Sequence, residues 1–156
     1  MREATADQGS TRRRRRAAIA GLGVLGLLDA LYMLAYSEGL IDRLICPFFG
    51  EGCETVGRSP HARHLGVPNS AVGALGYAVL ATLAVWSGDA PARRQPLRAL
   101  GMASIGVGAA AVSAFLTWEQ HAKVRAWCFW CLTSAGINAV VLPLVVAEAR
   151  DVRRAR

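Results

Sequence analysis

Four cysteines are the residues best suited to chemistry, and they fall into two pairs, Cys46 with Cys53 and Cys128 with Cys131. Cys128-Phe129-Trp130-Cys131 is a C-x-x-C spacing. At a helix start this spacing brings two sulfurs to one side, close enough to bridge. The free backbone N–H groups and the dipole at a helix N-terminus favour a thiolate there, and a thiolate is the attacking species in disulfide exchange. Six residues separate Cys46 from Cys53, among them Pro47, Gly50 and Gly52. Such a loop lets two cysteines pair and also lets them move, as a relay requires. Thiol–disulfide redox chemistry is the reading we favour. The same residues admit others: a structural or interaction protein with static disulfides, a four-cysteine zinc site in which both pairs converge permanently, or a site joining Cys46 and Cys53 to His61 and His64. Both histidines read more simply as ordinary loop residues, and no metal site is expected.

The elements that must hold these cysteines are apolar. Of 156 residues, 53% are hydrophobic, and the mean hydropathy is +0.30. The length suits one domain. Residues 1–16 form a polar, then basic, tail ending in Arg12 to Arg16, with residues 1–11 read as disordered. Four spans follow, at about 17–36, 69–87, 99–118 and 128–147, each near the roughly 20 residues that cross the hydrocarbon layer as a helix. The first stretch is too long for a signal-peptide core, and no cleavage site clearly follows it. The loop at 37–68 is too polar to span; it carries Cys46 and Cys53 and is expected to be structured, with a short amphipathic helix around Glu51 to His64. Gly73, Gly76 and Ala78 give the second span a small-residue face for close packing. Residues 88–98 and 119–127 are short connections, and residues 149–156 close the chain as a second basic tail. The fold expected is an all-α integral membrane protein, a four-helix bundle with a structured loop between its first two spans.

Charge orients this bundle. The net charge of +7 could suit nucleic acid or an anionic membrane surface. Its arginines cluster at the ends of apolar stretches, which points to membrane flanks and not to a nucleic-acid groove. Lys and Arg accumulate in cytoplasmic loops. The N-terminal segment, the 88–98 connection and the C-terminal tail all carry arginine clusters and, with four spans, fall on one side. Both termini are therefore expected inside, in a plasma (inner) membrane, with all four cysteines at the outer, oxidising face.

Two features remain open at this level. Phe48, Phe49, Trp118, Trp127, Phe129 and Trp130 gather at the outer boundary. They read as an interfacial belt, as the lining of a pocket for a flat apolar cofactor, or as both. Asp29 stands inside the first span, a costly place for a carboxylate, without an evident partner.

In combination, these features resemble the vitamin K epoxide reductase family, over about Ala17 to Glu148. The order carries the resemblance: a first span, the loop pair Cys46 and Cys53, Ser59 in Val-Gly-Arg-Ser-Pro, then Gly66-Val67-Pro68-Asn69-Ser70-Ala71-Val72-Gly73, Gly76-Tyr77, and Cys128-Phe129-Trp130-Cys131-Leu132-Thr133 heading the last span. The other bacterial quinone-linked disulfide generators carry the C-x-x-C in the first outer loop, the reverse of the order here. The resemblance implies that Cys131 faces a quinone (of ubiquinone, menaquinone or vitamin K type), that Cys128 exchanges with Cys53, and that Cys46 meets an external partner. It implies that Ser59 and Asn69 shape the quinone site; Phe129 and Trp130, the boundary aromatics inside the C-x-x-C, are the cofactor-lining candidates beside them. Animal members have a tyrosine four residues after the second cysteine of the C-x-x-C; Ala135 stands there instead. Many bacterial members fuse a thioredoxin-like domain after the last span. This sequence ends at Arg156, so a separate extracytoplasmic thioredoxin-fold protein is the expected partner of a monomeric, lipid-embedded enzyme. The Ala-, Arg- and Gly-rich composition favours the bacterial direction, in which partner thiols are oxidised and a quinone reduced, over epoxide reduction, which is expected at most in vitro.

Overall fold

Hydrocarbon offers the backbone no hydrogen-bond partners, so a spanning segment satisfies its own N–H and C=O groups as a helix. The computed structural model describes residues 2–153. Its helices are α1 (Arg2–Ser37), α2 (Gly52–Arg58), α3 (Asn69–Trp86), α4 (Pro96–Glu119) and α5 (Phe129–Arg153). All but α2 are long and apolar enough to cross a membrane. Only 17–28% of their most apolar windows is buried inside the protein, and Leu28, Leu75, Trp86 and Val107 point outward. A bundle in water would hide such side chains; one in lipid has no reason to.

α1 packs against α3 and α5, and α4 against α5 and α3. Ile19, Leu80, Ala84, Met102, Val141 and Val145 form the main core. Small residues set the closest approaches, as expected where lipid removes the hydrophobic drive between helices. Gly26 lies under the Tyr77 ring with no room for a Cβ, and Gly106 does the same beneath Val145. The small-residue face expected on α3 is only partly used. Gly73 approaches Ala30, but Gly76 has nothing within 4 Å of where a Cβ would be. The glycines that set the α1–α3 contact are Gly23 and Gly26 of α1, because the bulky partner, Tyr77, belongs to α3.

Several boundaries differ from expectation. The N-terminal segment is helical from Arg2, not a disordered tail. Ala, Glu and Arg are good helix formers, and the segment continues a helix fixed at Arg15 and Arg16 by ion pairs to α5. The loop helix is confined to α2. Pro60 follows it, opening a 3₁₀ turn at Pro60–Ala62, and then a hairpin pairs His64 with Val67. The hairpin turns through Leu65 and Gly66, at φ of 53° and 80°, the paired positive values that a two-residue turn of this twist requires. The link after α4 is largely a π-helical turn, Gln120–Val124. α5 runs past the expected end at Ala147 to Arg153. Arg154 and Arg156 of the expected basic tail lie outside the described residues.

Candidate active site

The 37–68 loop is tied to the bundle just ahead of Cys46. Ile45 N–H donates to Tyr32 Oη at 3.0 Å, and the Trp130 indole donates to the Ile45 carbonyl at 2.7 Å. Leu44 N–H donates to Glu54 of α2 at 3.3 Å. Cys46 and Cys53 are bridged, with Cα atoms 5.8 Å apart; Cys128 and Cys131 are free thiols. Gly52 is required by close approach. A Cβ there would run into the Trp127 carbonyl oxygen, so the glycine lets α2 settle against the residues that open α5.

That contact sets Cys53 against the α5 N-terminus. Phe129 N–H donates to Cys53 Sγ at 3.4 Å, and Cys131 N–H donates to Cys128 Sγ at 3.3 Å. Cys128 therefore occupies the capping position of α5, its sulfur doing the work usually given to a Ser or Asp oxygen. Its own N–H donates to Gln120 Oε1 at 2.9 Å. Sulfurs from both pairs thus share the unpaired N–H groups of one helix end. Cys53 and Cys128 are fully buried in the same cluster, with Cys46 and Cys131 half-buried at its margins. Around Cys46 the surface is apolar and open, with Ile45 73% and Phe48 77% exposed.

On the far side of this cluster lies a cavity of about 120 Å³. Cys131 and Trp130 border it, with Met33, Val56, Leu116 and Val124 as apolar walls. Polar groups reach it from Asp29 and Tyr36 of α1, His61, Asn69, and Glu119 at the end of α4. Asp29 Oδ1, Tyr36 Oη and Glu119 Oε2 are buried without a hydrogen-bond partner among the described residues. Such atoms are uncommon, because leaving one unpaired costs about 1–3 kcal/mol.

Of the residues singled out from sequence, Cys131, Trp130, Ser59 and Asn69 border this cavity. Phe129 does not: its ring packs on Phe48 at 5.6 Å, beside the loop disulfide. Of the boundary aromatics only Trp130 lines the cavity, and Phe48, Trp118 and Trp127 are partly exposed, as an interfacial belt would be. Ser59 Oγ donates to the Val56 carbonyl at 2.8 Å, so its hydrogen is committed and it contributes shape. Asp29, unassigned from sequence, faces the cavity. Tyr36 and Glu119 are not singled out by the sequence, and His61 and His64 are weighed there only as metal ligands. The available signal was a carboxylate and a phenol, each at the cysteine end of an apolar run. His61 and His64 both lie on Glu119. Among the described residues no group of three or more His, Cys, Asp or Glu is placed to hold a metal ion.

A family model, that of the vitamin K epoxide reductase family, matches residues 17–146, which takes in both cysteine pairs and reaches into all four spans. The chain belongs to this family. No curated protein matches it. As a vitamin K epoxide reductase family protein it is a multi-pass membrane oxidoreductase, of the kind whose chemistry links disulfides and quinones.

Proposed function

We propose that the protein oxidises the dithiol of an extracytoplasmic thioredoxin-fold partner and delivers the electrons to a membrane quinone, thereby supporting disulfide formation. One observation carries the reading: the four sulfurs are ordered from an open apolar surface at Cys46, through buried Cys53 and Cys128, to Cys131 on a cavity wall. In this reading a partner thiolate attacks Cys46, and the partner leaves as a disulfide once its second thiol has resolved the mixed bond. Cys53, now a thiolate, attacks the Cys128–Cys131 disulfide at Cys128 and displaces Cys131. Cys46 then closes on Cys53, leaving the loop oxidised and the inner pair reduced. That is the redox state described above. Re-forming the Cys128–Cys131 bond releases two electrons and two protons to the acceptor.

The cavity fits a quinone headgroup. Its volume is close to the roughly 150 Å³ of a dry cavity that takes up benzene, and the Trp130 and Met33 walls suit a flat apolar ring. A quinone carbonyl accepts hydrogen bonds and develops negative charge on reduction. The Tyr36 hydroxyl and the second hydrogen of Asn69 Nδ2 are donors available to it. A bound quinone supplies the two-electron acceptor; the chain supplies the apolar slot, these donors and the Cys131 sulfur. The orientation follows from the arginine clusters at the opposite end of the bundle.

The test is dithiol-dependent quinone reduction by purified protein in lipid. Cys128→Ala or Cys131→Ala should abolish it, and a Cys53→Ala variant should accumulate a mixed disulfide between Cys46 and a thioredoxin-fold protein. Wild-type turnover in either inner-pair variant would overturn the proposal.

A further inference from the structure

Glu119 meets two histidines that the cysteine relay does not use. Its side chain is 8% exposed and borders the cavity. Oε1 lies 2.9 Å from His61 Nδ1. Oε2 stands 3.3 Å from His64 Nε2, within ion-pair reach but off the hydrogen-bond axis, so it has no other partner among the described residues. The histidine side chains are 37% and 44% exposed. The cluster therefore has one face toward solvent and one toward the cavity.

Its hydrogen positions can be worked out from Asn69. The amide nitrogen donates to the His61 carbonyl at 2.8 Å. That carbonyl can only accept, which fixes the amide and leaves Asn69 Oδ1 facing His64 Nδ1 at 2.8 Å. An amide oxygen also only accepts, so His64 Nδ1 carries a hydrogen. In a neutral ring, His64 Nε2 then carries no hydrogen, so it and Glu119 Oε2, 3.3 Å apart, are two acceptors with no proton between them. One additional proton removes the conflict, whether it sits on Nε2 or on Oε2.

We propose that His61, Glu119 and His64 form a proton store for the cavity, with Glu119 the donor to the acceptor's oxygen and the histidines its route of resupply. The inference rests on the quinone reading above. The balance is as follows. Two S–H bonds break and the Cys128–Cys131 bond forms; the acceptor gains two electrons and two protons, forming two O–H bonds. One of those protons comes from Glu119. The other is the proton released by the Cys128 thiol. Glu119 is reprotonated from solvent through His64 or His61, and the proton lost when Cys131 ionises passes to solvent, so two protons leave the thiols and two reach the acceptor. The other titratable groups around Glu119 are accounted for. Asp29, Tyr36 and Cys131 line the same cavity. Arg63 turns away to Glu38 at 2.7 Å, His121 stacks on Trp127, and Lys123 lies over Trp118.

The experiment uses the full chain in lipid nanodiscs with a short-chain ubiquinone analogue. Glu119→Gln should slow quinone-driven reoxidation of the inner dithiol by about 100-fold, the usual scale for a lost general acid. It should also flatten the pH profile of that step, while reduction of Cys46–Cys53 by dithiothreitol is unchanged. A second readout needs no quinone. The wild-type protein should show either a protonated-carboxyl infrared band absent from Glu119→Gln, or a doubly protonated His64 ring by ¹⁵N NMR that Glu119→Gln loses. A wild-type rate and pH profile in Glu119→Gln, or the absence of both signals, overturns the proposal. If that variant does not fold, His64→Gln and His61→Gln carry the test, and wild-type rate and pH profile in both overturn it. Cys131→Ala is run in parallel. Retained turnover there defeats the quinone reading itself; lost turnover there, with an unaffected Glu119→Gln, defeats only the proton store.

Discussion

At the arginine end of the bundle, Glu148 is fully buried, and both its oxygens are matched. Arg15 Nε reaches Oε1 at 2.8 Å and Arg16 Nη2 reaches Oε2 at 2.9 Å. Arg16 Nη1 also donates to the carbonyls of Ser87, Gly88 and Ala90 at 2.8–2.9 Å, closing the C-terminal end of α3. At the cysteine end, Asp29, Tyr36 and Glu119 are also buried, yet each leaves an atom without a partner among the described residues. Both ends bury polar groups at a cost. One end recovers that cost inside the protein, and the other leaves it to be recovered by whatever enters the cavity. A buried group's role can thus be judged by whether its bonds close within the fold. Arg12 Nε is the exception at the arginine end, also without a partner among the described residues.

The comparison predicts that substitutions at the two ends separate stability from activity. Glu148→Ala should have the largest effect on stability. Removing Glu148 leaves the buried Arg16 with only its carbonyl acceptors and Arg15 with only Asp151 at 2.6 Å. Breaking a buried pair in this way typically costs about 3–5 kcal/mol, and these remaining partners put the loss at the lower end. Thermal unfolding in detergent should show the loss, while the rate per folded molecule of quinone reduction stays near wild type. A large rate loss in the folded fraction would mean that the two ends are coupled and the division is wrong.

Gly52→Ala comes next. The added methyl meets the Trp127 carbonyl, so α2 must back away from the start of α5. Overpacking of this kind costs roughly 1–3 kcal/mol, and here it falls on the Cys53–Cys128 approach. Electron passage from the loop pair to the inner pair, followed by rapid thiol alkylation, should slow by about tenfold, because small misplacements of reacting groups are costly. Quinone-driven reoxidation of a chemically reduced inner pair should not change.

How far the sequence foretold this division depends on the kind of signal. Long apolar runs and arginine clusters are local, and they gave the four spans and set the cysteines at one end. The C-x-x-C announced Cys128 and Cys131 through spacing alone. What stayed hidden depended on which residues meet across helices. Glu119 and His61 are 58 positions apart, and nothing in either segment indicates that they touch. Asp29 read as costly but unplaced, since facing the cavity is a property of the packed bundle. Phe129 was grouped with Trp130 because they are neighbours in sequence. On a helix adjacent residues point about 100° apart, so one ring turned to the cavity and the other to the loop disulfide.

Arg16→Lys refines the arginine end. The charge remains, but an ammonium cannot reproduce the fork that holds Glu148 and three carbonyls together. Losing part of that set should cost about 1–2 kcal/mol at roughly 1 kcal/mol per net hydrogen bond. The expected result is a smaller fall in unfolding temperature than for Glu148→Ala. An equal fall would assign the stabilisation to the carbonyl contacts and not to the ion pair.

Tyr36→Phe should give the smallest stability change and so tests the division most sharply. The ring stays, keeping its packing against Gly57 and its contact with Arg58 at 5.8 Å. The hydroxyl removed has no partner among the described residues, so no internal bond is lost and a buried polar atom disappears. The unfolding temperature should stay the same or rise, with a stability change within about 0.5 kcal/mol of wild type. The consequence should appear instead in the KM for a quinone analogue, raised about fivefold if the hydroxyl donates to a carbonyl with the usual ~1 kcal/mol. A destabilised protein with an unchanged KM would mean that the hydroxyl serves the fold, and the contrast between the two ends would not hold at this residue.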